Sequence, residues 1–294
     1  MKIAIGLPAH NEEKNIAAII MQLRKTYPDV IVCDDGSSDN TGEIARDMGA
    51  TLISNPKNMG YGAAIKALFV KAKEIDVDVL VTFDSDGQHR IEDIEYVLEP
   101  ILKNDADIVI GSRFIGKDRF QGPRYRGVGI KAITRLSNSS TGSNIKDSQS
   151  GFRAYNKKAL QGIIPSEHGM GVSTEILFKA AKQNLRITEV PITISYDGDT
   201  STHHPVSHGV SVILSTMKFI SIEHPLKFYG IPGMVLLSIG LFFVLWSLQI
   251  FTEQGRFITN IVLIGIGGMI AGTVLLMTSV ILYSIIGVVR EEMK

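Results

Sequence analysis

Val79-Leu80-Val81-Thr82-Phe83-Asp84-Ser85-Asp86-Gly87-Gln88-His89 is the stretch on which the reading of this chain turns. A β-prone apolar run ends abruptly in two aspartates one residue apart, so both carboxylates stand at the C-terminal end of a buried strand. A hard divalent cation, Mg²⁺ or Mn²⁺, takes oxygen ligands and usually binds through one or two carboxylates together with phosphate oxygens. Asp84, Asp86 and Gln88 are therefore the candidate metal ligands, and a diphosphate is the partner they would share the ion with. The same letters also spell an ordinary acidic turn, since Asp, Ser and Gly are common turn residues. The flanking sequence has to separate the two readings.

Working outward, short apolar runs alternate with segments of helical period. Strands are expected at Ile3–Leu7, Val30–Asp34, Thr51–Ile53, Val79–Phe83 and Asp107–Ile110, with helices beginning near Glu13, Asn40, Gly60 and Glu92. This order predicts an α/β domain: a Rossmann-like, mostly parallel sheet with helices on both faces, extending to about residue 200. Ligands of such sheets bind beyond the C-terminal strand ends. The clusters His10-Asn11-Glu12, Asp34-Asp35-Gly36-Ser37 and Asp84-Ser85-Asp86 all follow strands, so they should converge on one cleft.

Across 294 residues, 30 Lys and Arg balance 30 Asp and Glu. With no basic field, nucleic acid is not an expected partner. The single cysteine, Cys33, lies in an apolar run and reads as a buried thiol in a reducing compartment. The chain opens directly on a strand, so no secretory signal is expected.

The C-terminal third differs in kind. Residues 228–252 and 257–289 contain no charged side chain, and each run exceeds the roughly 20 residues that cross a bilayer core. Two transmembrane helices are expected, joined by a loop containing Glu253 and Arg256. Lys218 and Lys227 precede the first span, and Arg290 and Lys294 follow the second, which predicts cytoplasmic termini and a cytoplasmic catalytic domain at the cell membrane. Over 201–227, Val206, Val210, Ile213, Leu214, Met217 and Ile220 recur at helical spacing. That juxtamembrane segment suits an interfacial helix, or one packed on the catalytic domain.

Five segments then carry a family resemblance: Leu7-Pro8-Ala9-His10-Asn11-Glu12-Glu13, Asp34 to Thr41, Asn58 to Ala64, Asp84 to His89, and Gly111-Ser112-Arg113-Phe114. In this order they resemble family 2 glycosyltransferases of the GT-A fold. Asp147-Ser148-Gln149-Ser150-Gly151-Phe152-Arg153 and Glu189-Val190-Pro191-Ile192 narrow the likeness to polyprenyl-phosphate and dolichyl-phosphate sugar synthases, the dolichyl-phosphate mannose synthases among them.

The resemblance implies roles. Pro8, His10 and Glu12 would hold base and ribose, with Asp35 accepting from the base. Asp84 and Ser85 would face the donor's ribose or sugar, while Asp86 and Gln88 take the metal. Arg113 and Arg126 would meet donor or acceptor phosphates, with Arg135 an alternative to Arg126. Arg153 would position substrate, and Asp86 and Arg113 would be the catalytic pair. Gly60 and Gly62 would let backbone approach the donor or simply shape a turn. Glu175 reads either as an acidic site residue or as a first-turn helix carboxylate.

The implied reaction is an inverting, metal-dependent transfer of one sugar from a nucleotide-sugar to polyprenyl phosphate at the bilayer. No strong general base is needed, because the acceptor is already anionic. After Glu189-Val190-Pro191 the chain runs Ser195 to Pro205 without the mannose-type tail, which favours a UDP-hexose or UDP-N-acetylhexosamine over GDP-mannose. In that stretch and just beyond, Asp199, His204 and His208 suit a phosphate or headgroup contact, or a solvated loop. A processive polysaccharide synthase and a non-catalytic nucleotide-sugar binder stay open, as does a homo-oligomer.

Overall fold

The computed structural model describes residues 1–115, 124–193, 214, 217–218, 220–222, 224–256 and 258–292. Contacts divide the chain into two units, Met1–Thr216 and Met217–Lys294. Asp199, His204, His208 and, of the helical-spacing pattern, Val206, Val210 and Ile213 lie outside the described residues.

The first unit is built on a seven-stranded sheet. Its elements run β1 (Ile3–Ala9), α1 (Ile16–Leu23), β2 (Asp29–Asp34), α2 (Thr41–Asp47), β3 (Thr51–Ser54), α3 (Tyr61–Glu74), β4 (Val79–Thr82), α4 (Asp93–Leu102) and β5 (Ile108–Ser112), then α5 (Arg124–Thr141), β6 (Arg153–Asn156), α6 (Lys157–Gly162), α7 (Val172–Lys182) and β7 (Ile187–Pro191). The strand order is β3-β2-β1-β4-β6-β5-β7. Only β6 is antiparallel, wedged between β4 and β5. The expected α/β class and its first five strands are as read from periodicity, and β6 and β7 complete the sheet.

Alternation along each strand sends neighbours to opposite faces. Ala4, Ile31, Cys33, Leu80 and Tyr155 pack under α3, α6 and α7. Ile5, Leu7, Val30, Val32, Val79, Val81 and Ala154 pack under α1, α2 and α4. A sheet buried on both faces explains why β4 is continuously apolar until Thr82. Cys33 is fully buried, and burial first, then the charges of Asp35 and Asp34, push its thiol up to about 12. It is an inert packing residue.

The second unit holds a π-helical turn (Leu226–Gly230), α8 (Ile231–Gln254) and α9 (Thr259–Glu292). Each long helix contains a window of mean hydropathy 2.2 that is only 11% buried, so each is long and apolar enough to cross a membrane. Their contact is made by small residues. A Cβ on Gly240 would stand 2.7 Å from the Gly265 oxygen, and one on Gly272 would stand 2.6 Å from the Leu237 nitrogen. The two backbones therefore touch, the packing lipid-embedded helices favour where no hydrophobic force draws them together. Gly255, at φ 67°, closes α8 in the left-handed conformation.

Candidate active site

Strand order decides what meets at the C-terminal edge. β2, β1 and β4 are adjacent, with Ala9 level with Asp34, so the turns after them form one wall. They are stitched by side chain to backbone bonds. His10 Nδ1 lies 3.0 Å from the Asp35 oxygen, the Thr41 hydroxyl accepts from Glu12 N at 2.7 Å, and the Ser85 hydroxyl donates to the Pro8 oxygen at 2.7 Å.

The acidic turn itself is tight. Gly87 takes φ 73°, and Gln88 N donates to Asp86 Oδ1 at 3.0 Å. Asp84 accepts from the Tyr61 hydroxyl at 3.1 Å and lies 3.4 Å from His89 Nε2. Burial pushes the Asp84 carboxyl up, but His89, Tyr61 and the Arg113 charge more than offset it, so the carboxyl falls below its ordinary value. Glu12 goes the other way. Burial raises it, only partly countered by Asn15, and the charges of Asp86, Asp39 and Asp84 raise it further. Three carboxylates thus bear on Glu12, and the wall carries an excess of negative charge.

This donor set fits a hard cation, being all oxygen. Among the described residues no three His, Cys, Asp or Glu side chains are grouped closely enough to hold a metal. Asp84, Asp86 and the Gln88 amide would therefore hold one only together with oxygens from a ligand.

Arg113 stands beside this wall. Its guanidinium grips Asp147 in a fork, Nε to Oδ2 at 2.6 Å and Nη2 to Oδ1 at 2.7 Å. Asp147 is held in turn, since its backbone nitrogen and that of Lys146 both donate to Glu189 at 2.8 Å. A chain of contacts therefore runs from β7 through the 146–147 loop to the end of β5. The motifs around Asp147 and Glu189 carry the family resemblance, and the structure gives those two acids an orienting task that sequence reasoning did not assign.

Several of the expected site residues have partners within the protein. Asp35 is 4% exposed, and its carboxylate accepts from Asn55 Nδ2 at 2.7 Å, Met59 N at 3.0 Å and Gly60 N at 2.7 Å. It organises the 58–60 loop, where it satisfies two backbone donors. Ser85 is 4% exposed and donates its hydroxyl to the Pro8 oxygen, so it ties two turns together. Arg153, expected at substrate, is 1% exposed and donates to the oxygens of Ser150, Ser173 and Ser148 at 2.8, 3.1 and 2.7 Å. It laces the 148–150 loop to α7.

Gly60 and Gly62 make room for chain, not donor: a Cβ on Gly60 would stand 2.5 Å from the His168 oxygen, and one on Gly62 2.7 Å from the Gly169 oxygen. The His168 carbonyl also accepts from Gly62 N at 2.8 Å, capping α3. Glu175 is a first-turn carboxylate of α7, fully buried, and accepts from Ser166, Glu167 and Lys179. Arg135 is exposed on α5, and the Arg126 side chain lies outside the described residues.

Comparison with known proteins agrees with this architecture. The chain is 32% identical to the UDP-N-acetylglucosamine–dolichyl-phosphate N-acetylglucosaminyltransferase of Methanococcus voltae, over 72% of this chain and 91% of that protein. It is 28% identical to glycosyltransferase AglJ of Haloferax volcanii over 99% of this chain and 96% of that one. Among solved structures, glucosyl-3-phosphoglycerate synthase of Mycobacterium tuberculosis, crystallised with Mn²⁺, UDP and glucosyl-3-phosphoglycerate, superposes with a TM-score of 0.58. That match is 20% identical and covers 74% of this chain and 79% of the other, a likeness of fold. The family model for glycosyl transferase family 2 matches residues 4–164, and the chain belongs to that family.

Proposed function

We propose that the protein transfers a single sugar from a nucleotide-sugar to a polyprenyl or dolichyl phosphate, giving a lipid-phosphate-linked monosaccharide for glycan assembly. One observation carries this: an acidic strand-end turn of a family 2 glycosyltransferase shares its chain with two apolar helices long enough to span a bilayer. The relative from Methanococcus voltae, named for a dolichyl-phosphate acceptor, supports the same reading.

In this reading the turns after β1 and β2, with Pro8, His10 and Glu12, receive the nucleoside. Asp86 and Gln88, with Asp84 beside them, hold a divalent cation against the diphosphate. Bound there, Mg²⁺ or Mn²⁺ neutralises charge on the leaving nucleoside diphosphate. Arg113, fixed by Asp147, supplies a directed positive charge beside the carboxylates. The acceptor phosphate is already anionic, so positioning does most of the work and in-line attack inverts the anomeric carbon. Lys218 and Lys227 before α8, with Arg290 and Lys294 at the C-terminal end of the chain, orient both termini and the first unit to the cytoplasm.

The donor is a UDP-sugar in this reading, on the missing mannose-type tail and the Methanococcus relative's UDP-N-acetylglucosamine. The test is transfer of labelled sugar from a panel of UDP- and GDP-sugars to polyprenyl phosphate, with Mn²⁺ and after chelation. The expected product is a lipid-linked monosaccharide made only with metal. Long polymer would point to a processive synthase, and tight donor binding without turnover to a carrier.

A further inference from the structure

Asp84 is clamped from three sides. Tyr61, the first residue of α3, donates to Oδ1 at 3.1 Å, and His89 Nε2 lies 3.4 Å from Oδ2. The third side is backbone: a Cβ on Gly151 would stand 2.8 Å from each carboxylate oxygen. Neither partner can swing away easily. Tyr61 packs against the core and opens α3, where the next residue, Gly62, donates its N–H to the His168 oxygen. His89 has a side chain only 6% exposed, with ring centroids 5.7 Å from Phe83 and 5.1 Å from Phe152.

Burying an imidazole is costly unless its nitrogens find partners. Among the described residues Nδ1 of His89 is buried with no hydrogen-bond partner, and the polar contact that accounts for this histidine there is Asp84. Phe83 and Phe152 form the wall around it, and a phenylalanine or leucine would fill that wall more cheaply. A polar ring kept there at a cost is the mark of an orienting group.

We propose that Tyr61 and His89 are positioning residues that hold Asp84 as a fixed hydrogen-bond acceptor for the donor sugar, leaving the cation to Asp86 and Gln88. This rests on the nucleotide-sugar reading above. Each oxygen of Asp84 has one lone-pair direction taken by the protein, and 27% of the side chain remains open to the cleft for the ligand.

The test compares Tyr61→Phe, His89→Gln and Asp86→Ala in the full-length protein, with the two positioning changes repeated in an Asp84→Asn background. UDP-N-acetylglucosamine and GDP-mannose serve as donors, and Mn²⁺ affinity is read by paramagnetic resonance with UDP or GDP present. Tyr61→Phe and His89→Gln should each lower donor kcat/KM about 10–100-fold, the scale of losing an orienting contact, with Mn²⁺ affinity unchanged. In the Asp84→Asn background the same changes should cost little more, because they act through Asp84. Loss of Mn²⁺ affinity matching that of Asp86→Ala would overturn the proposal, as would an undiminished loss of turnover in the Asp84→Asn background. A wild type that carries the sugar to some other acceptor sinks the lipid-phosphate reading alone, since this series is scored on donor and Mn²⁺. A wild type that binds Mn²⁺ with neither nucleotide overturns both.

Discussion

The two ends of the sheet treat their acids in opposite ways. At the end where β1, β4, β5 and β7 begin, carboxylates are paired with basic side chains or backbone donors. Asp76 pairs with Lys157 at 2.7 Å, and Asp78 accepts from Lys2 N at 2.7 Å. Asp107, 1% exposed, takes Arg186 N at 2.8 Å, Asn156 Nδ2 at 2.9 Å and the Arg186 guanidinium at 3.3 Å. At the opposite end the charges of Asp86, Asp39 and Asp84 bear on Glu12, which burial first and then these acidic neighbours push up. At the first end the chain's own basic groups and backbone donors meet the acids; at the second, Asp84 is held by His89 and Tyr61 while Glu12 is raised by burial and acidic neighbours, which suits the cation proposed above. In the proposed function, the acids of the first end stabilise the fold and those of the second serve a ligand.

Breaking the ligand end should cost most in activity and least in stability. Asp86→Ala should lower sugar transfer about 1,000-fold, worth about 4 kcal/mol of transition-state stabilisation. Its melting temperature should stay level or rise, because one repelling charge is gone. A variant that instead melts lower with activity intact would refute the division. Next comes Gly151→Ala, whose methyl would stand 2.8 Å from both Asp84 oxygens and closer still to the Tyr61 hydroxyl. Displacing Asp84 by a fraction of an ångström should lower kcat/KM about 10–100-fold, measured with saturating Mn²⁺.

The opposite end should answer in stability. Asp107→Asn loses charge-assisted bonds to Arg186 and should destabilise by about 1–3 kcal/mol in denaturant titration, with turnover per folded molecule within about twofold. Burial pushes the Asp107 carboxyl up, but Arg186 and Asn156 hold it well below the carboxylate range. A depressed acid contributes its stability above the unfolded value, about 3.9, and loses it as pH falls below that. The gap between wild type and Asp107→Asn should therefore be full at pH 7 and narrow as pH drops below about 4. The smallest effect belongs to Glu12→Gln, which relieves repulsion while keeping an acceptor for Asn15. A gain of about 0.5 kcal/mol at neutral pH is expected from thermal melts, and a clear loss would mean that Glu12 is already compensated.

The same contrast runs through what could be read from the letters. The first five strands, the acidic turn and the two apolar helices were legible because each rests on a local signal: period 2, a polar break after an apolar run, or an uncharged run of bilayer length. β6 was not, since Arg153-Ala154-Tyr155-Asn156 has no apolar run and becomes a strand only by pairing between β4 and β5. The protein partners of Asp35 and Arg153 were hidden for a related reason. In sequence both are charged residues inside family motifs, yet folded they sit 4% and 1% exposed, serving backbone donors and acceptors.

What the sequence determined by itself, then, was the α/β alternation, the placing of carboxylates just past strand ends and the apolar C-terminal pair, because these depend on the nearest few residues. Which acids became structural and which face the cleft was decided only by tertiary structure. Asp84 and Asp107 look alike as letters, but one lies 3.4 Å from His89 and the other within 3.3 Å of Arg186. Those partners come from the neighbouring turn in one case and 79 residues away in the other. A carboxylate's role follows from the charges and donors that folding brings within a few ångströms of it.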